Sequence, residues 1–369
     1  MRVLLTTDTV GGVWSYTREL ATGLVRRGVQ VTLVSFGHVP EPRQLSWTEG
    51  LRHLDFRPTG FKLEWMRDSA EDIAVSSQYL LDILRETRSD VLHCNQFCYG
   101  ALDVGIPKIV VAHSDVVSWW LAIHGVEPPH SGWSSWYRDT VWRGLQGATM
   151  VLAPSRWMLS QIETHYGPQP RSDVIYNGRS PQWFNPRGDK DNLVLTVGRL
   201  WDAAKQVAII THHDCGWPVI IAGETQHPDP AYRTEAEPII CQGSLELKGR
   251  QTEQQLQVLF ARAAIYAATS RYEPFGLALV EAALSRCAIV ANDLPSFREL
   301  WGETACYFHT NDALSLRDAI AELARDPVAR RQYAELAYQR ARRRFTADRM
   351  VEEYLLLYES LTEKRTLAA

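Results

Sequence analysis

The chain has little that would commit it to nucleic acid, to metal or to a membrane span. Its 369 residues carry 39 Lys and Arg against 43 Asp and Glu, for a formal charge of −4. The one dense basic run is "RARRRF" near the C-terminus. This balance lacks the basic footprint that nucleic acid requires, so nucleic acid is not an expected partner. The Arg run reads as a solvated helix face, with peripheral contact to an anionic membrane surface as the alternative. The six cysteines (94, 98, 215, 241, 287 and 306) mostly stand in apolar contexts such as "VLHCNQFC" and "RCAIVA". They read as small buried hydrophobes in a reducing compartment. Cys94 and Cys98 lack the second pair that a zinc site needs, so no metal is expected. No apolar run reaches the roughly 18 residues of a membrane span. The opening "MRVLLTTDTVGG" is too short in apolar residues for a signal peptide, so a cytoplasmic protein without a transmembrane segment is expected. The glycines of "TDTVGGVW" lack the G-x-G-x-x-G spacing of a dinucleotide fold, which argues against a dehydrogenase. No repeat of roughly 20 to 50 residues occurs either.

What the chain does have is alternation. "RVLLTTDTVGGVWSYTRELATGLVRRGVQVTLVSF" reads as strand, glycine turn, helix, Gly28 as helix stop, and strand. Apolar runs at "DVLHC", "KIVVAH", "TMVLAPS" and "DVIYN" alternate with helical patterns over 68–87 and 134–145, which continues a parallel sheet. "NGRSPQWFNPRGDKDN" is the most linker-like segment. A second series follows it, with strands expected at "NLVLTVG", "PVIIAG", "PIICQG", "AIYAAT" and "AIVAN", then three helices. Residues 38–65 fit neither period and read as a loop or excursion. The expected class is α/β, with two doubly wound parallel-sheet (Rossmann-like) domains facing a cleft. Their bounds are 1–178 and 190–345, with a C-terminal helix, 346–369, crossing back to the first domain.

The chemistry concentrates in "SRYEPFGLALVEAALSR", where Glu273 and Glu281 flank a Phe-Gly pair. Phe275 or Gly276 opens a helix here, and the unpaired amides of a helix start favour an anion such as phosphate. Glu273 could equally serve as an acid near that helix start. Glu281 has no cation one turn away in either direction, and an unpaired buried carboxylate is costly. Either a distant arginine or a ligand diol, such as that of ribose, would satisfy it. Arg199 and Lys205 in "TVGRLWDAAKQ" follow the first strand of the second domain. Each reads as a surface cation or, with its neighbour, as a neutraliser of diphosphate.

Several stretches together resemble one family. They are "EPFGLALVE", "GRLWDAAK", "APSRWM" with Ser155, "IYNGRSPQWF", the Gly11-Gly12 pair and "AHSD" with His113. Over nearly its whole length the chain resembles the retaining glycosyltransferases of family 4, with GT-B architecture. The resemblance implies that Glu281 binds the ribose hydroxyls and that Arg199 and Lys205 bind the diphosphate. Glu273 and the main chain of Phe275, Gly276 and Leu277 would hold the donor sugar and phosphate. Gly12 would admit the leaving phosphate, His113 would face the sugar, and Ser244 and Leu245 would lie near the base. His113 also reads as a strand-end histidine bonded to backbone. The chain departs from the family pattern at "NGRS" in place of "NGVD", at "LSRCA" after Glu281, and after the lysine of "GRLWDAAKQ".

The expected activity is metal-independent, retaining transfer of a hexose from a nucleotide-diphosphate sugar, a UDP-sugar foremost. The acceptor would be a hydroxyl of a carbohydrate, lipid-linked or small molecule, and no cofactor is called for. A nucleotide-sugar epimerase of the same architecture and a non-catalytic nucleotide-sugar-binding protein are the alternatives. Trp119, Trp120, Trp133, Trp136, Tyr137 and Trp142 lie in the first domain, on the acceptor side, and read mainly as packing residues, with sugar stacking as the second role.

Overall fold

The computed structural model describes residues 1–9, 11–227, 234–240 and 243–368. It divides into two compact units: Met1–Ser118 with Val126–Gly178 and Ala347–Ala369, and Trp119–Gly125 with Arg179–Thr346.

In the first unit the strands are β1 (Arg2–Asp8), β2 (Gln30–Phe36), β3 (Leu54–Pro58), β4 (Val91–Cys94), β5 (Lys108–Val111), β6 (Met150–Ala153) and β7 (Ser172–Val174). They form one parallel sheet in the order β3-β2-β1-β4-β5-β6-β7. Its helices are α1 (Gly12–Arg26), α2 (Pro42–Leu45), α3 (Ala70–Thr87), α5 (Gly132–Gly147) and α6 (Arg156–Tyr166), while α4 (Val116–His124) starts in this unit and from Trp119 on is counted with the second. The central strands β1 and β2 are buried at every position after their first, as strands covered on both faces must be. The stretch 38–65, expected as an irregular excursion, in fact contributes β3 as an edge strand. Its half-exposed "LDFRP" carries too little apolar signal to announce itself.

The second unit holds β8 (Asp191–Val197), β9 (Val219–Ala222), β10 (Leu245–Gly249), β11 (Ala263–Ala268), β12 (Ala288–Asn292) and β13 (Cys306–Phe308). These are parallel in the order β10-β9-β8-β11-β12-β13. Its helices are α7 (Glu253–Arg262), α8 (Leu277–Leu284), α9 (Pro295–Trp301), α10 (Ala313–Arg325) and α11 (Pro327–Arg344). The strand expected at "PIICQG" is not found. Residues 238–240 are irregular, Cys241 and Gln242 lie outside the described residues, and the strand runs over Leu245–Gly249.

The last helix, α12 (Ala347–Ala368), belongs to the first unit. Val351, Tyr354 and Tyr358 on it join the core formed by Tyr16, Leu20 and Leu24 of α1. Among the described residues no helix is long and apolar enough to cross a membrane.

Candidate active site

In a doubly wound sheet the strand order reverses between two neighbours whose crossovers leave in opposite directions, and ligands settle at the carboxyl ends there. In the second unit that pair is β8 and β11. β8 ends at Val197 and delivers Arg199 and Lys205; β11 ends at Ala268 and delivers Glu273 to Leu277. The two loops are stitched together: Thr269 Oγ1 donates to the Lys205 carbonyl at 2.8 Å, and Arg271 N donates to that of Ala204 at 2.8 Å. Lys205 Nζ meets Glu273 Oε2 at 2.6 Å, and Ser270 Oγ reaches the same oxygen at 3.3 Å. The fold therefore brings Arg199, Lys205, Glu273, Phe275, Gly276 and Leu277 to one edge.

The geometry of that edge has local causes. Gly276 caps α8 at φ 84°, and a Cβ there would stand 2.6 Å from Leu279 Cδ1 and 3.2 Å from Glu273 Cγ. Phe275 is anchored by edge-on packing against Phe345, with centroids 5.4 Å apart. Arg199 lies over the Trp201 ring at 5.1 Å and pairs with Asp202 at 2.6 Å. Asp202 is buried and also accepts from Ala204 N at 3.0 Å and from Trp119 Nε1 at 3.2 Å. Burial alone would raise its carboxyl pKa; the Arg199 and Lys205 charges and the hydrogen bonds from Ala204 N and Arg199 outweigh that and hold it below the ordinary value.

Glu281 resolves in favour of the distant arginine. Arg179 Nε stands 2.9 Å from Glu281 Oε1, and its NH2 lies 3.2 Å from Glu253 Oε1. The Arg179 side chain is 3% exposed and the Glu281 side chain 14%. Arg179 is the third residue of "NGRS", so the departure from the family pattern supplies the cation that helix α8 itself lacks. Arg179 N also donates to the Phe345 carbonyl at 2.9 Å, which fixes the chain where the second unit begins.

Ser244 and Leu245 are not brought to this edge. Leu245 pairs with Val219 at the starts of β10 and β9, at the amino end of the sheet. The expectation failed because the strand lies after Ser244 instead of before it; the carboxyl end of β10 is Gly249.

In the first unit the corresponding pair of strands is β1 and β4. β1 leads towards Gly11 and Gly12, and it is Gly11, at φ 78°, that takes the left-handed conformation, while Gly12 begins α1. β4 leads to Asn95, and the neighbouring β5 leads to His113. His113 Nε2 lies 2.8 Å from Asn95 Oδ1, and its ring packs edge-on against Tyr16 at 4.5 Å. Burial, with His93 nearby, lowers the pKa of His113 to about 3, so the ring is neutral at physiological pH. Later in "AHSD", buried Asp115 accepts from Ser118 N at 2.8 Å and from the hydroxyls of Tyr166 at 2.5 Å and Tyr137 at 3.2 Å. Of the tryptophans, Trp133 stacks on Tyr137 and donates to the Met66 carbonyl, which makes it a packing residue. Trp119 and Trp120 group with the second unit.

Sequence reasoning missed Arg179, Asp202, Asn95 and Asp115. Asp115 had a local signal, a capping residue three positions before Ser118, and so did Asp202, which pairs with Arg199 and Ala204 close by in sequence; Arg179 and Asn95 are defined by partners distant in sequence. A hollow of about 240 Å³ opens beside the Lys205 loop, lined by Leu200, Ala203, Gln206, Val207 and Arg271 among others. A larger one, about 420 Å³, lies by Arg187, Arg286 and Tyr338 and shares none of the residues above. Among the described residues no three His, Cys, Asp or Glu cluster as metal ligands would.

Residues 10–183 match the family model "Glycosyltransferase Family 4", and residues 191–326 match "Glycosyl transferases group 1". Together the two matches take in most of the chain, which is a glycosyltransferase. A lipopolysaccharide core biosynthesis mannosyltransferase, LpcC of Rhizobium leguminosarum bv. viciae, is 34% identical over 108 residues. That stretch is 29% of this chain and 31% of that protein, so the match spans under a third of the relative. The fold is that of GT-B enzymes. Sucrose-phosphate synthase from Thermosynechococcus elongatus superposes with a TM-score of 0.78 at 16% identity, covering 99% of this chain and 100% of the other. Anabaena Alr3699/HepE in complex with UDP and glucose gives 0.74 at 16% identity, covering 98% and 100%.

Proposed function

We propose that this glycosyltransferase moves a hexose from a nucleotide-diphosphate sugar, a UDP-sugar foremost, to an acceptor hydroxyl with retention of anomeric configuration. The observation that carries the reading is the convergence of Arg199, Lys205, Glu273 and the start of α8 at the carboxyl ends of β8 and β11. Two cations and a helix N-terminus are a receptor for diphosphate. The binding of UDP by HepE, which shares the fold, agrees with it.

In this reading Arg199 and Lys205 neutralise charge that grows on the departing diphosphate, and Glu273 holds the Lys205 ammonium in place. The acceptor attacks the face that the diphosphate leaves, and a leaving-group oxygen takes its proton, so no protein nucleophile is needed. Glu281 accepts from the ribose diol; its pairing with Arg179 is compatible with this, because a carboxylate has about four lone-pair sites. Phe275, Gly276 and Leu277 offer main-chain contacts to the donor, while Gly12 and His113 are assigned to its phosphate and sugar. The acceptor is a carbohydrate, lipid-linked or small-molecule hydroxyl.

A thermal-shift screen of nucleotide sugars, followed by assay of nucleotide release from the best one, tests the proposal. Stabilisation by one nucleotide sugar and slow release of its nucleotide without acceptor are expected. An epimerised sugar with no nucleotide released, or no stabilisation by any nucleotide sugar, contradicts it.

A further inference from the structure

The hydrogen bonds behind His113 determine which of its nitrogens carries the proton. Asn95 Nδ2 donates to the main-chain oxygen of Thr6 at 2.7 Å. A carbonyl oxygen can only accept, so the orientation of the Asn95 amide is fixed and its Oδ1 is the atom turned to His113. That Oδ1 lies 2.8 Å from Nε2. It too can only accept, so Nε2 must be the donor. The amide is held there, because Asn95 is buried and its Nδ2 also reaches Thr17 Oγ1 at 3.4 Å. A neutral ring protonated at Nε2 carries its lone pair on Nδ1. Among the described residues Nδ1 has no hydrogen-bond partner, and His113 is only half-buried.

We infer that Asn95 is a positioning residue that locks His113 as the Nε2–H tautomer, so that Nδ1 is held as an acceptor for a ligand hydroxyl. The identity of that ligand as a sugar rests on the proposed function; the tautomer does not. An acceptor of this kind takes a neutral hydroxyl and opposes a carboxylate, because a lone pair then faces an anion. The burial that keeps the ring from gaining a second proton removes the usual escape from that conflict. Neutral sugars are therefore favoured over uronic acids at the position that His113 faces.

The test uses the full chain labelled with ¹⁵N-histidine at pH 7.5, with long-range proton–nitrogen correlation and assignment by loss of the signal in His113→Gln. The wild-type His113 should show a protonated Nε2 and a bare Nδ1. In Asn95→Ala the two tautomers should mix, and kcat/KM with UDP-glucose should fall roughly tenfold, the worth of one hydrogen bond, while discrimination against UDP-glucuronate narrows. A wild-type Nδ1–H signature overturns the inference, as does an Asn95→Ala protein with an unchanged tautomer or unchanged kcat/KM. If Asn95→Ala fails to fold, the wild-type spectrum decides alone. If no nucleotide sugar binds, the functional reading has failed, and the Nε2–H signature still supports the lock.

Discussion

Replacing Arg179 with Ala should destabilise the second unit by about 3 kcal/mol. Removing one partner of a buried ion pair costs roughly 3 to 5 kcal/mol, because the other charge stays behind unsolvated. The low end applies here. Glu253, 43% exposed, regains water at little cost, and Glu281, with a side chain 14% exposed, bears the penalty. For a unit of this size each kcal/mol shifts the melting midpoint by roughly 2 to 4 °C, so a fall on the order of 10 °C is expected in fluorescence-monitored melting. Glu281→Gln in the Arg179→Ala background should recover much of the loss, since the stranded charge is gone, and the double-mutant cycle should show coupling above 1 kcal/mol. UDP binding measured on the same proteins separates the two uses of Glu281: Arg179→Ala should weaken it by letting the carboxylate wander, and Glu281→Gln should weaken it further. An Arg179→Ala protein that melts within 2 °C of wild type would refute the reasoning, for it would mean that Glu281 finds water or another cation at no cost.

Burial of His93 between Tyr16 and Tyr358 lowers its pKa to about 3 from an ordinary 6.5. The unfolded chain therefore binds the extra proton first as pH falls below 6.5, and stability should decline between pH 6.5 and 3 by up to about 1.4 kcal/mol per pH unit from this residue. Urea unfolding of wild type and His93→Gln across that range checks it, and parallel curves would contradict it. Transfer should proceed in EDTA, since Arg199, Lys205 and the start of α8 can supply the charge that a metal would; strict dependence on added manganese or magnesium would refute that. Arg199→Ala and Lys205→Ala should each lower turnover at saturating donor by roughly 100-fold, as loss of one charge stabiliser does, and the double mutant should lose less than the product. Normal turnover with only a raised Michaelis constant would reduce both residues to donor holders.

The legible parts of the molecule were those in which neighbours in sequence decide the structure. The turn into α8 was visible because Gly276 and the apolar run "LALVEAAL" are adjacent, and strands such as β11, "AAIYAA", because burial on both faces leaves an apolar run. The strands that escaped, β3, β10 and β13, are all sheet edges. An edge strand is half-solvated, so "LDFRP" and "LELKG" carry charges where an interior strand would carry valine. Misreading β10 in turn misplaced Ser244 and Leu245. The polar partners of the site were hidden for another reason: Arg179 with Glu281, and Asn95 with His113, meet only once the sheets form, and no local pattern encodes such a meeting. For Glu281 the sequence offered both an arginine and a diol, and only the fold could supply Arg179.

The most direct measurement is calorimetric titration of UDP into the wild-type protein, Lys205→Ala and Glu281→Ala. Wild type should bind UDP, and each substitution should weaken that binding by about 1 to 3 kcal/mol while leaving the protein folded. Lack of UDP binding by wild type, or equal affinity in all three proteins, would contradict the assignment of a UDP site to the carboxyl ends of β8 and β11.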